Sequence, residues 1–166
     1  MNDTPSAVAG HPGASPATID DRLAALVAGY GNGADGSAPT PAQWRRLLDH
    51  PAGAPITLIN LFKLRSMARY PADHLLAGSP GTGQEALARY TEVSVPTVDQ
   101  VGARFLLLGP AAGTFLGAEE DWDLIAVGTY PNAEAALALY EDDGYRRAFA
   151  HRAAACERQR VLLCAG

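Results

Sequence analysis

The chain has 166 residues, 48% of them hydrophobic, and a formal net charge of -5; these are the proportions of one domain with its own core, not of a disordered chain. Twelve of the thirteen basic residues are Arg, with Lys63 the one lysine, and the acidic surplus runs through both halves. There is no basic footprint for nucleic acid, no apolar run near the ~18 residues of a membrane helix, and no basic-then-apolar leader, so neither nucleic acid nor membrane is expected as a partner and a cytoplasmic location is the default.

Residues 1–17 are rich in Pro, Gly, Ser and Ala and read as a disordered tail. Residues 18–55 read as an N-terminal helical extension. Thr18 is a helix N-cap, with Asp20 and Asp21 placed at the positive end of the dipole. Leu23, Leu26 and Val27 follow at helical spacing, and Gly29, Gly31 and Gly33 end the helix. Thr40-Pro41-Ala42-Gln43 joins a capping box to a proline in the first turn. Trp44, Leu47 and Leu48 then form an apolar stripe, which Pro51 closes.

Residues 56–166 carry the main domain. Ile56–Leu64 is apolar at both parities, as a central strand is. A Pro- and Gly-rich loop runs from about 71 to 83. Thr82-Gly83-Gln84-Glu85 is another capping box, opening a helix with Ala86, Leu87, Tyr90, Val93, Ser94 and Thr97 on one stripe. Pro96 is expected to kink or break it. Ala103–Gly109 and Trp122–Tyr130 are the next two strands. Asn132 caps a short helix through Tyr140, a second helix spans about 144–157, and Arg160–Cys164 is the last strand.

The order strand, helix, strand, strand, helix, strand is the split βαβ, or ferredoxin-like, unit of an α+β fold. One antiparallel sheet is expected, with helices on one face. The strands are also apolar on the other face, and such a face needs a cover. A second copy of the sheet, making a homodimer, is the favoured cover; the helical pair at 18–50 is the rival.

The strand PITLINLFKLR, the helix EALARY, the stretch DWDLIAVGTYPNAEAALALY and the ending DDGYRRAFAHRAAACERQRVLL resemble the family catalogued as domain of unknown function 1330, of the dimeric α/β-barrel superfamily. The resemblance spans roughly residues 40–166. It implies a ferredoxin-like dimer and implies no activity. The superfamily includes cofactor-free monooxygenases, lactone isomerases, polyketide cyclases and haem enzymes, so carrying an activity over would be analogy of fold alone.

Several residues are candidates for chemistry. Asn60 is an amide in an apolar strand and needs a hydrogen-bond partner, either a loop or a ligand. Lys63 and Arg65 share a parity and read as an anion clamp or a surface pair. Trp122 is core or pocket wall, and Asp123 is a general base or the ion-pair partner of Arg152. Tyr145, Phe149 and Arg152 share one helical face, with His151 one step round as a candidate general base. The Tyr90 hydroxyl points to the covered side of its helix. Cys156 and Cys164, eight apart, lack the spacing of a zinc site. Neither a metal nor a cofactor is expected.

Two readings remain open at this level. In one, an enzyme holds a cavity between the sheet and its helices, partly closed by the loop at 71–83. There His151 or Asp123 moves a proton, Asn60 or Arg152 stabilises an oxyanion, and Asn60, Tyr90, Trp122, Tyr145, Arg152 and Arg65 hold a small carbonyl or enol metabolite. Isomerisation, cyclisation and cofactor-free oxygenation all fit. In the other, the chain is a non-catalytic dimeric module that binds a metabolite or a protein. Convergence of the polar groups on one cavity favours the first, and their dispersal the second.

Overall fold

The computed structural model describes residues 17–79 and 81–165. The tail expected over residues 1–17 lies outside these apart from Ala17. Nine elements follow in chain order: α1 (Ile19–Tyr30), α2 (Pro41–Leu48), β1 (Ile56–Leu64), α3 (Gly83–Gln100), β2 (Arg104–Pro110), β3 (Leu124–Tyr130), α4 (Ala133–Glu141), α5 (Asp143–Ala155) and β4 (Cys156–Ala165).

The three capping boxes form as their spacing dictates. Thr18, Thr40 and Thr82 each accept a hydrogen bond from the backbone N–H three residues on, and the side chain there accepts one from the backbone N–H of the cap. Each box satisfies N–H groups that a helix start leaves without partners. Pro96, by contrast, does not end α3, which runs on to Gln100. Pro96 and Glu92 both face solvent, so water can take up the Glu92 carbonyl that the proline leaves unbonded. The opposite stripe of Tyr90, Ser94, Thr97 and Val98 is buried, and that packing outweighs the missing bond.

The four strands form one antiparallel sheet in the order β2-β3-β1-β4. With five helices, this is a mixed α+β fold of the ferredoxin-like kind. The alternation along β1 sorts the two faces. Ile56, Leu58 and Phe62 are buried beneath α3 and α5, together with Ala126 and Tyr130 of β3. Thr57, Ile59, Leu61 and Lys63 point to the other face, opposite Thr129, Val127 and Ile125 of β3. There Leu107 and Leu162 are exposed.

The helical extension lies on the helix side, not across that open face. Arg22 of α1 pairs with Glu134 and Glu141 at the two ends of α4, and the Tyr30 hydroxyl donates to the Tyr140 carbonyl at 2.7 Å. Trp44 of α2 lies edge-on to Tyr140 at 4.9 Å between ring centres, and Tyr30 meets Phe149 of α5 at 4.9 Å. Leu26, Trp44, Leu47 and Leu48 therefore belong to the same core as the sheet. The rival cover expected from sequence is thereby set aside, because its apolar stripe is already used on α4 and α5. Among the described residues no helix is long and apolar enough to cross a membrane.

Candidate functional site

The site grows from Arg152. It sits near the C-terminal end of α5, on the stripe shared with Tyr145 and Phe149, and is only 4% exposed. Its guanidinium is held by three neutral acceptors: Nε donates to Gln159 Oε1 at 2.7 Å, Nη1 to the Tyr90 hydroxyl at 3.3 Å and Nη2 to Asn60 Oδ1 at 3.3 Å. Aromatic rings surround it, with Phe62 at 4.8 Å, Phe149 at 5.4 Å and Tyr90 at 5.7 Å from its central carbon. Tyr90 and Tyr145 share a 2.6 Å hydroxyl–hydroxyl bond. Burial, and then the neighbouring Tyr90, push the Tyr145 phenol well above its ordinary range, so it stays protonated at neutral pH.

Asn60, Tyr90, Tyr145 and Arg152 thus converge, as the sequence reading required of a pocket. The space between the sheet and α3/α5, however, is not the cavity expected there. Tyr90, Tyr130, Tyr140 and Tyr145 fill it and leave about 40 Å³, room for roughly two waters. A larger recess opens on the other flank of Arg152. It measures about 310 Å³ and lies between α2, the 33–40 linker and the edge strand β4, at the lower end of the roughly 300–1,000 Å³ typical of ligand sites. Trp44, Leu47, Leu58, Phe149, Val161 and Leu163 supply its apolar walls. Arg46, Arg152, Gln43 and Gln159 supply its polar side chains; Arg160 borders it too, but turns its guanidinium to the open face, opposite Leu61.

The linker wall is set by local chemistry. Gly33, at a φ of 67°, lets the chain fold back so tightly that a Cβ there would sit 2.4 Å from the Ala38 carbonyl oxygen. Gln159 ties this wall to the site: its Nε2 donates to the Ser37 carbonyl at 2.8 Å while its Oε1 takes the Arg152 bond. Sequence reasoning missed Gln159 because it started the last strand at Arg160. Pairing with β1 extends that strand back to Cys156 and turns Gln159 towards the helix side, opposite Phe62.

The remaining candidates fall elsewhere. Asp123 does not meet Arg152. It takes Lys63 Nζ at 3.1 Å and the Leu64 backbone N–H at 2.7 Å. Parity is the reason: Lys63 and Asp123 belong to the open face, and the sheet stands between them and α5. Lys63 also pairs with Asp121 at 2.7 Å, so it forms no anion clamp with Arg65. A bulge between Lys63 and Leu64 breaks the register, and Arg65 borders a separate groove with Arg69, Tyr70 and Arg158. Trp122 is neither core nor wall of the Arg152 recess. Its ring lies under Arg158 at 4.3 Å, its Nε1 donates to Glu120 at 2.6 Å, and it borders a shallow depression with Leu61 and Ile125 on the open face.

His151 points away from Arg152, towards the loop after β1. Its Nδ1 lies 2.9 Å from the Tyr70 hydroxyl, and the His74 ring is 5.7 Å away. Burial, then His74 and Arg89, hold its imidazole below the ordinary range, with Glu92 opposing them. The two candidate proton carriers, His151 and Asp123, therefore stand apart from the group of Arg152, Tyr90 and Asn60. Both cysteines are free; Cys156 is buried and Cys164 half-buried.

Residues 76–165, more than half of the chain, match the family described as Domain of unknown function (DUF1330). The chain belongs to this family. Two solved structures of a family-sized relative, both of the RPA0582 protein from Rhodopseudomonas palustris, extend the likeness. The methylated form is 30% identical, with a TM-score of 0.70 over 78% of this chain and 93% of its own. The other, described as a protein of unknown function, is 29% identical, with a TM-score of 0.69 over 78% of this chain and 95% of its own. No curated protein matches the chain. The family segment holds Tyr90, Tyr145, Arg152 and Gln159. Trp44, Leu47 and the 33–40 linker, which close the recess, precede it.

Proposed function

We propose that this member of the DUF1330 family is a small-molecule-binding module whose ligand occupies the recess between α2, the 33–40 linker and β4. The observation that carries the reading is the composition of that recess. It is a concave, largely aromatic and aliphatic cavity of about 310 Å³ with a few polar groups on its wall, the usual make-up of a ligand site. No Asp, Glu, His, Cys or Lys side chain lines it among the described residues. A proton-transfer enzyme needs a titrating group within hydrogen-bond reach of its substrate; the Tyr140 phenol on this wall is pushed above its ordinary range by burial, and His151 and Asp123 are both engaged elsewhere. Binding of a small carbonyl or enol metabolite is therefore favoured over its conversion.

The test uses Trp44 as the reporter. In a Trp122→Phe protein the one remaining tryptophan is on the recess wall. Titration with small aryl ketones and lactones is expected to change its emission saturably. Val161 is 40% exposed on the same wall, and Val161→Phe, which keeps the single reporter, is expected to weaken binding by about tenfold or more, as filled space excludes ligand. Unchanged binding in Val161→Phe would place the ligand elsewhere.

The open sheet face supports a second copy of the chain as the partner. Ile59, Leu61, Ile125 and Val127 lie across its middle with Leu107 and Leu162 exposed beside them, and the helical extension stands on the other side. A homodimer closing the two sheets into an α/β barrel would bury this face. Light scattering at micromolar concentration is expected to return about twice the chain mass of 17.4 kDa. Val127→Asp, which puts a charge at the centre of the face, is expected to return the single mass; a wild-type protein at the single mass would end the dimer reading.

A further inference from the structure

The same recess carries a charge pattern that narrows its ligand. The chain as a whole is acidic, at -5, yet the recess wall holds the arginines Arg46 and Arg152 and no carboxylate among the described residues. The guanidinium of neighbouring Arg160 is outside it, on the open face, where it pairs with Glu120 at 3.1 Å. Arg152 is not neutralised at all: it forms no ion pair among the described residues. A guanidinium has five N–H donors. Three of Arg152's are taken by an amide oxygen of Gln159, a phenol and the amide oxygen of Asn60, two of them at the long distance of 3.3 Å. Buried charge without a counter-charge is unfavourable, because the low-dielectric surroundings replace its hydration poorly. Phe62, Phe149 and Tyr90 face the cation with their rings, which moderates the penalty without removing it.

We infer that the ligand is a small organic monocarboxylate with an apolar body, its carboxylate supplying the counter-charge that the chain withholds from Arg152. This inference rests on the recess being the ligand site. Planar guanidinium and carboxylate match edge to edge, and the apolar body then lies against Trp44, Leu47 and Leu163. Gln159 is a positioning residue: by holding Nε it fixes the plane of the fork, and through Ser37 it sets the linker wall around the same ligand.

The experiment compares isosteres, phenylacetate with phenylacetamide and 4-phenylbutyrate with 4-phenylbutyramide, by Trp44 emission in the Trp122→Phe protein. Each carboxylate is expected to bind about 10- to 100-fold tighter than its amide, the range for a hydrogen-bonded charge pair. In Arg152→Gln that selectivity is expected to collapse while amide binding changes little. Arg46→Gln and Arg160→Gln, both exposed, are expected to alter selectivity by less than about fivefold. Equal binding of acid and amide would overturn the carboxylate assignment and leave the recess as the site. Saturable binding of neither would overturn both. Selectivity that survives Arg152→Gln, or is lost instead in Arg46→Gln or Arg160→Gln, would take the assignment away from Arg152. Should Arg152→Gln not fold, the wild-type isostere pairs and the two exposed variants still decide.

Discussion

Gly83→Ala is expected to lower stability by about 3 kcal/mol, and Gly83→Val to prevent folding. Gly83 is the first residue of α3, where three backbone segments meet. A Cβ there would sit 2.3 Å from the Arg65 carbonyl oxygen, 2.7 Å from the Ala155 carbonyl oxygen and 2.9 Å from the Arg65 nitrogen. None of these is a side chain that can swing aside. The Gly83 N–H also donates to the Arg65 carbonyl at 3.1 Å, and the Arg65 N–H to Ala155 at 2.8 Å. Adding one methyl group must therefore push apart the end of β1, the start of α3 and the end of α5. For a domain whose whole stability is about 5–15 kcal/mol, that is a large fraction. Urea unfolding of wild type and Gly83→Ala measures it, and a midpoint unchanged within error would show that the three segments separate freely.

The second large effect belongs to Trp44. Trp44→Ala is expected to cost about 3–5 kcal/mol, the range for emptying a fully buried aromatic site. The indole is 1% exposed and packs against Tyr30 and Tyr140 at 5.5 and 4.9 Å. Its Nε1 has no hydrogen-bond partner among the described residues. An unpaired buried donor is itself unfavourable by about 1–3 kcal/mol, so Trp44→Phe, which keeps a ring and removes the donor, is expected to stay within about 1 kcal/mol of wild type. The contrast separates loss of volume from loss of the polar atom. It also tests whether the extension is part of the core: a near-neutral Trp44→Ala would mean that α2 contributes nothing to the fold. Thermal melts of the two variants beside wild type suffice.

Much of this architecture can be read in the chain itself, and particular residues show why. Thr18, Thr40 and Thr82 mark helix starts because capping chemistry is complete within four residues. The apolar run at 56–64 announces a strand with neighbours on both sides, and β1 indeed pairs with both β3 and β4. The stripe of Tyr145, Phe149 and Arg152 follows from helical period alone, and all three are buried. Capping and periodicity are short-range properties, so a single sequence states them in full.

What only the tertiary structure decided are the relations between segments far apart in the chain. Asp123 and Arg152 looked like partners by charge, yet a sheet lies between them, because one residue of parity selects the face. Pro96 looked like a helix end, yet the packing of α3 on α5 carries the helix through it. Gly83 reads in the sequence only as the residue after the Thr82 cap, since close approach of Arg65 and Ala155 leaves no local trace. The recess itself depends on Trp44, Gln159 and Arg152 meeting from three elements spread over more than a hundred residues. Composition and periodicity carry no term for such a meeting; it is settled by which apolar stripes bury one another when the chain closes on its core.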